Sequence, residues 1–224
     1  MSQLLLQRLL DAVPSEFVEW LLKRQLPIYQ QSLESAFADQ PWTDAEAITL
    51  VPYFRRAIWE ADFRKAASEN GLKAHNSDHK AGNSSCVLVK AGGIILTGHY
   101  VDGPEEFVRE AESRKQNAGV NKWLTHYVDS RLLTTPVPKL DERPIYINVL
   151  HGAWFPARRD GAMTVDPSSC FLRFAIPAAD SNKYLAGCNW SAQELLALYA
   201  PATAAEPTAK SIPDEAKPSI KKKA

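Results

Sequence analysis

Ser84-Ser85-Cys86-Val87-Leu88-Val89-Lys90-Ala91-Gly92-Gly93-Ile94-Ile95-Leu96-Thr97-Gly98-His99-Tyr100-Val101 is the stretch that decides the fold. Two runs rich in Val, Leu and Ile, Ser84 to Lys90 and Ile94 to Val101, flank Ala91-Gly92-Gly93. Glycine reaches positive φ without a Cβ clash, so this pattern specifies a tight antiparallel hairpin over 84–101. Leu72 to Asn76 reads as a short preceding strand, after the helix stop at Asn70-Gly71. Downstream, strands are expected over 145–150 and over 170–176, the latter stopped by Pro177.

Helices surround these strands. Leu5, Leu6, Leu9 and Leu10 recur at helical spacing, and Phe17, Val18, Leu21 and Leu22 form one face of a second run. Pro27 is expected to end or kink that run, leaving a third short segment from Ile28 to Phe37. Thr43-Asp44-Ala45-Glu46 is a capping box, and the helix it opens carries Ala47, Val51, Phe54, Ile58 and Ala61 as its apolar stripe. Pro52 inside this run allows either one kinked helix or two. Gly103-Pro104-Glu105-Glu106 reads as the start of another helix reaching Asn117 or as far as Tyr127, with proline in the first turn and acids at the positive dipole end. Ser191 and Glu194 form a second capping box for the last helix. Thr134 to Arg143 and Gly152 to Ser169 read as irregular.

The order gives an α+β fold: N-terminal helices, then a small mixed or antiparallel sheet with packed helices. Three parts are expected: a helical segment over 1–41, an α+β core over 42–200, and a tail over 201–224. The tail holds four prolines, five lysines against three acids, and no aromatic residue, a composition that cannot bury enough apolar area to offset ordering.

The 224 residues are 45% apolar and carry 26 basic against 26 acidic side chains, enough for a core and too balanced for strong non-specific nucleic-acid binding. Cys86, Cys170 and Cys188 are too few and too scattered for a disulfide scaffold or zinc ribbon. The N-terminal stretch reads as an amphipathic helix rather than a signal peptide, and no apolar run is long enough to span a membrane. A cytoplasmic protein is the expectation.

No Gly-x-Ser-x-Gly, Walker A, dinucleotide fingerprint or HExxH is present. His75, Asp78 and His79 cluster in a polar loop, and His99 and His151 end later strands. Imidazole and carboxylate ligate divalent metals, so His75, Asp78, His79 and His99 are the candidate ligands of a metal-dependent, nuclease-like hydrolase. The same loop also reads as a surface turn. The element order resembles that of the PD-(D/E)xK nuclease core, but neither hairpin strand carries the acid or the Glu-x-Lys that holds metal there. Arg114, Lys115 and Lys122, with Arg158 and Arg159, are candidate phosphate contacts for nucleic acid. Arg56, Glu60 and Arg64 read as a solvated ion-pair ladder. The leading expectation is a non-enzymatic intracellular binding or regulatory protein, without a cofactor. It would act through nucleic acid or a protein partner, or through self-association of the N-terminal helices. The metal-dependent hydrolase is the alternative.

Overall fold

A computed structural model describes residues 2–38, 41–77, 86–109, 112–124, 143–153, 164–180 and 183–199. The hairpin forms as its glycines dictate. Gly92 and Gly93 have φ of 47° and 82° and join β2 (Val87–Ala91) to β3 (Ile94–Tyr100), with Ala91 opposite Ile94. Two successive positive φ values match the right-handed twist of the strands.

Around the hairpin stand β1 (Lys73–Asn76), β4 (Ile145–Gly152), β5 (Phe171–Pro177) and β6 (Tyr184–Ser191). They form one six-stranded sheet in sequence order, antiparallel except between β3 and β4, which run parallel. The sheet is thus mixed and larger than the sequence suggests. The sixth strand escaped the sequence reading because Gly187 and Asn189 interrupt its apolar pattern and Ala186 and Gly187 are exposed.

Helices α1 (Ser2–Ala12), α2 (Ser15–Phe37), α3 (Asp44–Glu69) and α5 (Ala192–Tyr199) pack with the sheet, and α4 (Glu112–Ala118) follows β3. Leu5, Leu9, Phe17, Leu21, Phe63, Leu96, Ile147, Phe174 and Leu195 belong to one buried cluster, so the apolar stripe of the N-terminal helices lies in the same core as the strands. Buried amides fix the polar backbone within it. Asn121 donates from Nδ2 to the carbonyls of Tyr146 (2.8 Å) and Pro177 (2.9 Å), and its Oδ1 accepts from Tyr146 N. Gln25 donates to the Gly152 carbonyl at 2.9 Å and to that of Phe171.

Three helix expectations need correction. α2 runs unbroken through Pro27, so no separate segment begins at Ile28, while α3 is one helix through Pro52, one of the two arrangements its sequence allows. Residues on both sides of each proline (Gln25 and Ile28, Val51 and Arg55) are buried, and packing of that kind offsets the lost backbone hydrogen bond. The buried stripe of α3 is Ala47, Val51, Arg55, Trp59 and Phe63, while Ala61 is exposed. The helix is therefore rotated so that an arginine sits among its buried residues. The segment after Gly103 forms only a turn, Glu106 N to Gly103 O at 3.1 Å, and α4 starts at Glu112. Both capping boxes are present: Glu46 accepts from Thr43 N at 2.6 Å, and Glu194 from Ser191 N at 2.6 Å. No helix of the described residues is long and apolar enough to cross a membrane.

Candidate functional site: an arginine-lined cleft

Pairing between β2 and β3 reaches Leu88 and Thr97, whereas pairing of β3 with β4 continues to Tyr100 and His151. The last turn of this parallel pair is thus left beside the start of β2, and a cleft opens there. Carboxyl ends of parallel strands are a recurrent place for ligand sites.

Gly98 makes the inner part possible. A Cβ at this position would come within 2.0 Å of Trp59 Nε1, so only glycine lets the indole lie down on the strand. Trp59 then stacks on His151, ring centroids 3.6 Å apart and 14° from parallel. The Tyr29 hydroxyl shares a 2.9 Å hydrogen bond with His151 Nδ1. On the other side of the sheet, His99 Nε2 lies 2.7 Å from Thr97 Oγ1 and 3.3 Å from Tyr146 Oη, which is itself 2.6 Å from Thr97 Oγ1. The side chains of His99 and His151 point to opposite faces, since Tyr100, next to His99, is the partner of His151. Both border one inner chamber of about 240 Å³, together with Trp59, Arg56, Arg114 and Asn117. The Trp59 indole N–H has no hydrogen-bond partner among the described residues.

The chamber continues outward into a cleft of about 620 Å³. Arg55, Arg56, Arg109 and Arg114 line it, with Leu33, Ile48, Val51, Tyr53 and Tyr100 as apolar and aromatic wall. Arg55 is buried with its guanidinium 3.3 Å from the centroid of the Tyr100 ring, a cation–π contact that explains a charge on the inward face of α3. Arg56 pairs with Glu60 at 3.0 Å, and Arg114 donates to the Arg109 carbonyl. The carboxylates among the described lining residues are Asp102 and Glu60.

The titrating groups register this surplus of positive charge. Burial, then the charges of Arg114 and Arg56, push His99 down to about 3. Burial, then Arg55 and His99, hold His151 well below the usual imidazole range. Both rings are therefore neutral at pH 7. Burial also lowers Arg114, and Arg56 and Arg109 add to that effect.

Of the sequence candidates, His99 and Arg114 reach the cleft. His75 lies on β1, two strands from β3, with Leu88 and then Thr97 beside it. Lys115 and Lys122 are exposed. Asp78, His79, Arg158, Arg159, the loop from Thr134, the far end of the helix expected to reach Tyr127, and the tail over 201–224 lie outside the described residues. Among the described residues no group of three or more His, Cys, Asp or Glu is placed to hold a metal. Sequence reasoning missed Tyr29, Tyr53, Arg55, Trp59 and Tyr100. Arg56 and Glu60 form the ion pair their spacing indicates, but Arg64 donates to Asn76 Oδ1 instead. No protein-family model, curated protein or solved structure matches this chain.

Proposed function

We propose that this chain is a non-enzymatic intracellular binding protein that holds a phosphate-bearing ligand in the cleft at the carboxyl ends of β3 and β4. One observation carries the reading: Arg55 and Arg56 from α3, and Arg109 and Arg114 from the segment after β3, border one cavity. Four guanidiniums against two described carboxylates leave a surplus of positive charge there. Bringing like charges together is unfavourable, and an anion among them relieves the repulsion. Arginine also offers a planar fork of donors suited to phosphate oxygens.

Binding is favoured over turnover by the state of the imidazoles. Each is buried, and each has a ring nitrogen engaged by hydroxyls of neighbouring side chains. General acid–base chemistry needs a pKa near the working pH, and both histidines are driven below it. A cytoplasmic setting accords with three cysteines that are all unpaired.

Calorimetric titration of the full chain with pyrophosphate tests the reading. Binding should weaken as salt is raised, and Arg114→Glu should reduce affinity by roughly tenfold or more, equivalent to ~1.4 kcal/mol. An affinity insensitive to both salt and the substitution would remove the cleft as the anion site.

A further inference from the structure

We infer that the ligand is a nucleoside phosphate, its base against Tyr53 in the outer cleft and its phosphate among the arginines within. The inference rests on the phosphate reading and adds the group attached to the phosphate. The cavity is divided chemically. Its inner chamber is lined by polar and charged side chains: Arg55, Arg56 and Arg114, with Glu60 and Asn117. The outer cleft adds an apolar and aromatic side, Leu33, Ile48, Val51 and Tyr53, beside Arg109 and the arginines it shares with the chamber. Inorganic phosphate would satisfy the first part and leave the second without purpose.

Tyr53 is 72% exposed and Ile48 53%, and both stand on this one rim, among only five large apolar side chains exposed in the described residues. The other rings at the cavity are already occupied. Arg55 covers Tyr100, and His151 covers Trp59. Tyr53 has no ring or cation partner among the described residues, so its face is the one open to a planar group. Along α3 the lining passes from Ile48 through Pro52 to Arg56 and then Glu60, one stripe that turns from apolar to charged. Tyr53 stands three residues before Arg56, about 4.5 Å along the axis, so a base on its ring and a phosphate at Arg56 lie on neighbouring turns of the helix. A cleft of about 620 Å³ with an adjoining chamber of about 240 Å³ is of small-ligand size.

The same chemistry occurs in a free nucleotide and at the phosphorylated end of a nucleic-acid strand. Calorimetry on the full chain with three probes separates them: tripolyphosphate, ATP, and a short single-stranded oligothymidylate bearing a 5′-phosphate. ATP or the oligonucleotide should bind about tenfold or more tightly than tripolyphosphate, because stacking on an aromatic ring contributes on that scale. Tyr53→Ala, an exposed position whose folding can be checked by circular dichroism, should abolish the difference and leave tripolyphosphate binding unchanged. Preference for ATP identifies the free nucleotide, and preference for the oligonucleotide identifies the strand end. Tripolyphosphate binding as tightly as either, or Tyr53→Ala leaving their affinities intact, overturns the inference while the phosphate reading stands. Failure of all three probes to bind at low salt removes the phosphate reading itself.

Discussion

The two ends of the β3–β4 pair are built on opposite rules. At the amino end Ile94, Leu96, Ile145 and Ile147 are fully buried hydrocarbon. At the carboxyl end the same strands carry His99, Tyr100 and His151, packed against a tryptophan, a second tyrosine and a buried arginine. Hydrocarbon burial is tolerant of small changes in shape. A polar chamber is not, because every buried donor and acceptor needs its own partner. One strand pair therefore supplies cohesion at one end and a shaped, electropositive cavity at the other.

Substitutions can break or sharpen this contrast. The largest effect of any substitution is expected at the hydrocarbon end: Leu96→Ala should cost ~2–5 kcal/mol in urea denaturation, with anion affinity of the folded protein unchanged. Next comes pH. His99 and His151 have folded-state pKa values below those of the unfolded chain, so the unfolded state takes up protons first as pH falls. Stability should be level above pH ~6.5 and then fall by about 1.4 kcal/mol per pH unit for each histidine, down to about pH 3 for His99. A urea series across this window reads the slope, and His99→Gln should flatten it by one proton's share. A flat profile in the parent protein would contradict the neutral buried imidazoles. Gly98→Ala should then cost ~1–3 kcal/mol by forcing the Trp59 indole off the strand, and should shift tryptophan emission, which Leu96→Ala in the folded state should not. The smallest effect is expected for Tyr29→Phe, ~1 kcal/mol from one lost hydrogen bond to His151.

Features encoded by neighbouring residues were legible from the chain alone. Both capping boxes and the Gly92-Gly93 turn depend on residues within a few positions, and each forms as read. The proline at 27 misled because local propensity argues for a break where tertiary burial on both sides holds the helix together. The site was legible only in fragments. His99 and His151 are visible as histidines at strand ends, and Arg114 as a helix cation. Arg55 gave no sequence signal, because its inward direction depends on the Tyr100 ring, on another element. Trp59 was missed because nothing in its own helix indicates that Gly98 clears a place for it. An arginine and a tryptophan four positions apart, with a lone strand glycine between Thr97 and His99 downstream, was the signal available.

The parallel pairing has a kinetic corollary. Ile94 meets Ile145 across a separation of 51 positions, whereas the β2–β3 hairpin closes over a two-residue turn. Closing the long loop is entropically dearer and slower than folding the hairpin. The hairpin can form early and alone, but His151, on which Trp59 stacks, reaches the inner chamber only once the crossover has brought β4 alongside. Completion of the inner chamber is accordingly a late event on the folding route, and recovery of the anion binding proposed for it should lag the first appearance of β-structure.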